Sequence, residues 1–268
     1  MDLGDAVRGD EHISARLATK DASRELSAQG WIFVRGEQFA LTQDFSRFRA
    51  ESRNAWESLP ADPYAPLETG RYRRYGRWVW QGTSRAGKFR GTLLQAQNLP
   101  YHQKAEFNTL VGGMDRTFLP LPDQVRDSAL VRTLLRFDLA AAGAWRGRWE
   151  VDVHMVRIAP GPGGSGQPAP EGIHRDGLDV IAIHLIESCG VVGGVSSVFD
   201  NEGNERGCVR LKRRLDSLLV DDRRLRHFTT AVERRPTDSA IGLPQAWRDV
   251  LLVGLRRSEG GDRAAADR

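Results

Sequence analysis

From Trp149 onward the chain breaks into short runs rich in Val, Ile, Leu, Phe and Thr. They lie at 151–158, 178–187, 195–200, 217–220, 225–232 and 249–255, and clusters of Gly, Asp and Asn separate them. Strands this short bury their apolar sides only by closing on one another, so the pattern predicts a sandwich or barrel. The first half reads as mixed and partly helical. Residues 13–29 are helix-compatible and stop at Gly30, and 42–59 space Phe45, Phe48, Ala55, Trp56 and Leu59 at helical intervals before Pro60. The clearest helix is expected at 123–144, capped by Asp123, with Val131, Leu134, Leu135, Leu139 and Ala142 as an apolar stripe to lie against a sheet. The expected class is therefore α+β in a single domain. A helical and mixed part covers about 1–148, a β core about 149–256, and a polar, small-residue tail expected to be disordered 257–268.

Within the β-rich half stand His174 and Asp176, one residue apart, with His227 some fifty residues later in a strand-like run. On an extended strand residues i and i+2 share a side, so His174 and Asp176 can grip one metal while Arg175 points away. Two imidazoles and one carboxylate form the facial set that holds Fe(II) and leaves the opposite face open for oxygen chemistry. An isolated His-x-Asp is more often a surface loop. What raises it here is the rarity of histidine, six in 268 residues, and Arg248 at the head of the last apolar run. A planar guanidinium there suits the remote carboxylate of a 2-oxo diacid that chelates the iron, with Arg157 as the alternative anchor. The bland reading of Arg248 is a salt bridge with Asp249.

Zinc is disfavoured, because no H-E-x-x-H helix or placed general base is evident. His154 and His184 read as core or supporting groups; His184 shares strand parity with Asp176 if no bulge intervenes. His12 and His102 read as peripheral. The run Gly161 to Gly166 matches G-x-G-x-x-G, yet the prolines at 168 and 170 predict an extended loop instead of the helix a dinucleotide requires. Such a loop, leading straight into the metal motif, is a candidate lid.

The run Pro170 to Gly177, Gly193-Gly194 with Asp200, Leu215-Asp216 with Asp221-Asp222, His227 and Arg248 to Leu251 together resemble the bacterial 2OG-Fe dioxygenase family of free amino-acid hydroxylases, the isoleucine 4-hydroxylase group. Tyr72 to Gly76 upstream, and Gln103, Asn108, Gly112-Gly113 and Arg116, extend the resemblance over about 65–256. It implies a double-stranded β-helix (jelly roll, cupin-like) core with the N-terminal helices packed on the sheet. It implies His174, Asp176 and His227 as iron ligands, Arg248 as the 2-oxoglutarate partner, and Fe(II), 2-oxoglutarate and O2 as requirements. The activity implied is hydroxylation of an unactivated C–H of a free L-amino acid, aliphatic or a cyclic imino acid, with succinate and CO2 as co-products. A carboxylate at Asp176 favours hydroxylation, since a related halogenase would need a small residue there. For the substrate ammonium the candidates are Glu171 and Asp179; for its carboxylate, Arg116, Gln103 and Asn108. Departures fall at Glu187 to Gly190 and at His184, positions expected to bear on the substrate pocket. The alternatives are the same chemistry on a peptide- or carrier-bound amino acid, and a metal-binding jelly roll without turnover.

Composition narrows the partners. The net charge of +4 comes from 39 basic and 35 acidic residues well interspersed, and only four of the 39 are Lys. No basic run with interleaved aromatics suggests a nucleic-acid track, and no apolar run is long enough to span a membrane. Residues 1–12 are polar and acidic, unlike a signal peptide, so a cytoplasmic location is expected. Cys189 and Cys208 are too few for a disulfide framework and are expected to be structural. The chain itself is silent on oligomeric state.

Overall fold

The computed structural model describes residues 19–83, 90–161, 164–235 and 246–258, with the side chains of 19, 20 and 42 left out. In chain order the first half contributes α1 (Thr19–Gln29), β1 (Trp31–Val34), α2 (Thr42–Glu57), β2 (Arg71–Gly82), β3 (Gly91–Ala96), β4 (Tyr101–His102), β5 (Asp115–Arg116), α3 (Asp123–Arg126) and α4 (Ala129–Ala141). The second half contributes β6 (Gly147–Ile158), β7 (Ser165–Gly166), β8 (Val180–Cys189), β9 (Val191–Gly193), β10 (Val195–Phe199), β11 (Glu205–Arg210), β12 (Ser217–Asp221), β13 (Arg226–Thr229), β14 (Val232–Arg234) and β15 (Trp247–Arg257).

A seven-stranded antiparallel sheet in the order β1-β12-β8-β15-β6-β2-β3 forms the backbone of the fold. Its two faces carry different cores because side chains alternate along each strand. Val151, Val153, Met155, Val180, Ala182, Leu251 and Val253 face the helices, packing with Phe48 and Trp56 of α2 and Leu134, Leu135 and Phe137 of α4. Val156, Ile158, Ile181, Ile183, Leu218, Val220 and Val250 face the other way. There they meet Val191, Val198, Leu225 and Val232 from two three-stranded sheets, β11-β10-β13 and β7-β14-β9. A large sheet with helices on one side and smaller sheets closing the other is the expected α+β jelly roll.

The predicted helix at 123–144 is two helices, broken at Asp127 and Ser128. Asp123 is not a cap, since α3 has no side-chain cap bond; Asp123 instead pairs with Arg126 at 2.8 Å. The stripe held, with Val131, Leu134, Leu135 and Leu139 buried against the sheet. The run 225–232 is likewise two strands, β13 and β14, lying in different sheets. The first half holds strands that its composition hid. In β2, four of twelve residues are arginines at intermediate burial or deeper; Arg71 and Arg73 face a cavity, and Arg77 pairs with Asp152 and Glu150.

His184 lies on the helix side of β8, not beside Asp176. Its Nε2 meets Asp138 Oδ2 of α4 at 2.9 Å, and its Nδ1 meets Ser217 Oγ at 2.7 Å, all fully buried. Gly177, at φ +75°, turns the chain between Asp176 and β8, so strand parity does not carry across. Glu187 also lies away from the cavity, paired with Arg49 and, at 2.7 Å, Arg214. Both cysteines are free and exposed, so they do not pack the core as expected. Ser165 and Gly166 are extended in β7, as a loop and not a helix requires; residues 162–163, part of the candidate lid, lie outside the described residues. The expected tail at 257–268 also lies outside them save for Arg257, which ends β15, and Ser258. Among the described residues no helix is long and apolar enough to cross a membrane.

Candidate metal centre

His174 and His227 face each other as an isolated antiparallel bridge, His174 N to His227 O at 3.1 Å and His227 N to His174 O at 2.9 Å. That bridge brings together two candidate ligands about fifty residues apart, because β13 is pinned on its far side to β10. Nδ1 of His174 lies 2.8 Å from Gly172 O, which leaves Nε2 to face inward. Asp176 Oδ1 stands 3.8 Å from His174 Nε2, and Asp176 Oδ2 stands 3.5 Å from His227 Nε2. One ligand atom from each of the three falls within 4.8 Å of the others. A cation bonded at about 2 Å needs neighbouring donors about 3 Å apart, so a contraction on the order of 1 Å makes the set a chelate. Arg175 points away, bonded to Asn201 and to Arg223 O.

The surroundings suit those three to a metal. Burial opposes ionisation of Asp176, but His227, His174 and the Gln103 amide outweigh it and hold the carboxyl below its ordinary range. Burial, then His174, pushes His227 down to about 3, so it is a neutral imidazole. His174 moves up: burial works against this, while Asp176, Glu171 and the Gly172 carbonyl prevail. Asp222 accepts the backbone N–H of Asp176 at 3.0–3.1 Å and of Leu178 at 2.9 Å, which fixes the ligand loop. Burial and then Asp176 raise its carboxyl to about 7.

Arg248 heads β15, where its side chain is buried and lines a cavity of about 390 Å³ that also holds His174, Asp176 and His227. Its Nη2 has no hydrogen-bond partner, and burial, then Arg210, lowers its pKa to about 10. Asp249 does not pair with it. Asp249 points to the other face and takes Arg157 bidentately at 2.7 and 2.8 Å, which also occupies the alternative anchor. The Gly193-Gly194 pair has a steric reason. Gly194 sits at φ +65°, and a Cβ there would stand 3.2 Å from Arg248 Cδ and Nε.

The remaining candidates separate. Gln103 follows β4, and its Nε2 donates to Asp176 Oδ1 at 2.7 Å while its Oε1 accepts from Arg116. A hydrogen bond from Arg116 fixes the amide's orientation, so Gln103 steadies Asp176. Asn108 Oδ1 accepts the backbone N–H groups of Leu110 and Val111, shaping the loop at the cavity rim. Glu171 Oε1 lies 3.2 Å from His174 Nε2, inside the cavity. Asp179 is outside it, bonded to Arg257 N at 2.7 Å. Sequence reasoning gives no site role to Asp62 and Tyr101 and reads the basic cluster at Arg71–Arg74 as a solvated face, yet Asp62, Arg71, Arg73 and Tyr101 all line the cavity. Their signal was the odd density of arginine in an otherwise strand-like 71–80.

The 2OG-Fe dioxygenase family model matches residues 53–254. The 3(1)-hydroxy-L-isoleucine 4-dioxygenase of Pantoea ananatis (strain AJ13355) is 27% identical over 249 residues, covering 87% of this chain and 94% of that protein. A solved bsmA homologue from Methylobium petroleophilum PM1 is 30% identical, with a TM-score of 0.72 over 92% of this chain and 96% of that one. The structure of IDO from Bacillus thuringiensis superposes with a TM-score of 0.71 at 18% identity, over 90% of this chain and 100% of that one, a likeness of fold.

Proposed function

The chain belongs to the 2OG-Fe dioxygenase family, and from that premise we propose that it hydroxylates an unactivated C–H bond of a free L-amino acid, aliphatic or cyclic. It is an Fe(II)- and 2-oxoglutarate-dependent dioxygenase, and O2 is its oxidant. The observation that carries the proposal is one cavity of about 390 Å³ that contains both the His174, Asp176, His227 set and Arg248, whose buried Nη2 has no hydrogen-bond partner. That volume is at the small end for ligand sites and suits two small molecules side by side. The relative from Pantoea ananatis is named for an amino-acid substrate, which supports the same class here.

In this reading His174 Nε2, Asp176 and His227 Nε2 hold Fe(II), and Gly172 O and Gln103 keep two of those ligands oriented. With 2-oxoglutarate and O2, the bound iron supplies the oxidising power that breaks the C–H bond, succinate and CO2 leaving as co-products. Arg248 fixes the remote carboxylate of the co-substrate. Its buried setting makes that charge-assisted contact strong and selective. Glu171 has a second duty. A His174 Nε2 committed to a metal no longer donates to it, so its carboxylate is left to receive the substrate ammonium. Val156, Ile158, Ile181, Ile183 and Val250 wall the cavity with hydrocarbon, excluding water from the reacting carbon.

The test is a turnover assay of anaerobically reconstituted Fe(II) protein given 2-oxoglutarate, O2 and pooled free amino acids, read by mass spectrometry. Succinate matched by an amino acid heavier by one oxygen, both lost in His174→Ala, is the expected result. Succinate that no free amino acid stimulates, with turnover on a peptide or carrier-bound residue instead, would overturn the free-substrate reading.

A further inference from the structure

Besides the ligand His227, four side chains that line the cavity carry a buried nitrogen without a hydrogen-bond partner: Arg71 Nε, Arg116 Nε, His154 Nε2 and Arg248 Nη2. His154 is a donor by tautomer. Arg73 Nε donates to its Nδ1 at 3.1 Å, so the ring proton must sit on Nε2. The imidazole stays neutral, because burial and then Arg73, Arg116 and Arg71 hold its pKa well below 6.5. All four nitrogens are therefore N–H donors; Arg71 Nε faces Asp62 Oδ2 at 3.6 Å, beyond hydrogen-bond reach, and a buried donor left unsatisfied is costly. The cavity asks for oxygen acceptors.

Those donors fall in two places. In the antiparallel register Arg248 stands opposite Ile158, and Leu252 opposite His154. His154 is thus four residues along the sheet from the level of Arg248, about 13 Å at strand rise. Arg71 also starts opposite Ile158, and it is tied toward the His154 end through Asp62, which it shares with Arg73, the residue bonded to His154. One carboxylate cannot serve both. Around His154 the charges are unbalanced. Arg71 and Arg73 share the single carboxylate of Asp62, at 3.6 and 3.7 Å. Arg116 bonds Gln103 and lies over the Tyr101 ring at 5.0 Å, in no ion pair among the described residues. Like charge depresses both Arg71 and Arg116: burial leads in each case, with Arg73 next. Tyr75 stacks on the imidazole at 4.8 Å and Tyr101 meets its edge at 4.7 Å, so the donor is held in one orientation.

We infer that His154 Nε2–H, Arg71 and Arg116 form a second carboxylate subsite, distinct from Arg248, which takes the carboxylate of the primary substrate. The inference rests on the free amino-acid reading above and adds the residues that recognise it. Arg73 is a positioning residue that sets the imidazole tautomer, and Asp62 orients Arg71 and Arg73.

The experiment uses full-length protein loaded with Zn(II) and 2-oxoglutarate, which does not turn over. Free L-amino acids and their carboxamides are titrated calorimetrically into wild type, His154→Phe, His154→Gln and Arg71→Gln. Phe keeps the aromatic stack without the donor, whereas Gln restores an N–H. The best free acid is expected to bind wild type more than about tenfold tighter than its amide. His154→Phe and Arg71→Gln should erase most of that ratio, and His154→Gln should recover part of it. Affinity for 2-oxoglutarate should stay at the wild-type value in all three, which also reports correct folding. A free acid that binds well but with an acid-to-amide ratio surviving both His154→Phe and Arg71→Gln would overturn the subsite alone. No binding by any free acid or amide, with 2-oxoglutarate affinity intact, would overturn the free amino-acid reading and the subsite with it.

Discussion

Arg248→Met should move two quantities in opposite directions. The wild-type guanidinium is buried, has an unpartnered Nη2 and has Arg210 as its nearest charged influence. Burial, then Arg210, lowers its pKa from the ordinary guanidinium range to about 10, a penalty on the charged form of about 3 kcal/mol. Methionine has similar length and no charge, so ligand-free stability should hold or rise, by up to several degrees in melting temperature. Binding of 2-oxoglutarate should fall. Removing one partner of a buried, charge-assisted pair costs about 3–5 kcal/mol, or about two to three and a half orders of magnitude in Kd. Calorimetric titration of the Zn(II)-loaded protein with 2-oxoglutarate, beside a thermal melt of the ligand-free variant, reads both. A Kd within about threefold of wild type would refute Arg248 as the co-substrate anchor. A melting temperature lower by several degrees would show that the guanidinium has a stabilising partner in the free protein, against the reasoning here.

Other perturbations have signs set by the same contacts. His174→Ala and Asp176→Ala should each abolish stoichiometric metal binding, measured by metal analysis after desalting, while the circular dichroism stays that of wild type. Gln103→Leu frees Asp176 from its 2.7 Å amide contact and should weaken Mn(II) affinity about 10- to 100-fold in an anaerobic chelator competition. Metal affinity should drop as pH falls, starting above pH 6.5, because the raised His174 binds a proton there and an imidazolium cannot ligate; a Kd flat down to pH 6 would contradict this. Asp138→Ala strips His184 of a fully buried partner and should cost about 1–3 kcal/mol in urea unfolding. It should leave 2-oxoglutarate affinity unchanged, since the pair sits on the helix face of the sheet.

That His174, Asp176 and His227 could meet at one point was legible because their spacing is simple. His174 and Asp176 are neighbours in sequence, and His227 stands in a recognisable strand. The β-rich second half was legible for the same reason, its apolar runs being short and cleanly punctuated. What escaped reading depends on what a residue faces once folded. In β2 the arginines at 71 and 73 interrupt an apolar alternation, and only their register opposite Ile158 and Val156 of β6 shows that they face a cavity. The break in the 123–144 helix comes at Asp127-Ser128, where Ser128 adopts an extended backbone ahead of α4, a turn that the apolar stripe conceals. His184 is the buried core group it was expected to be, but the contact with Asp176 that strand parity offered is lost at Gly177, whose positive φ ends the extended run. Gln103 and Arg116 were noticed, but their contact with Asp176 required the β4–β5 pairing, two residues per strand and too brief to leave a pattern.

The most direct test of the account is a crystal structure of the anaerobic Fe(II) and 2-oxoglutarate complex, with anomalous scattering at the iron edge. The account predicts one iron peak within bonding distance of His174 Nε2, the Asp176 carboxylate and His227 Nε2, and the remote carboxylate of 2-oxoglutarate against Arg248. Iron held elsewhere, or a co-substrate whose remote carboxylate lies on Arg71 and His154 instead, would contradict it.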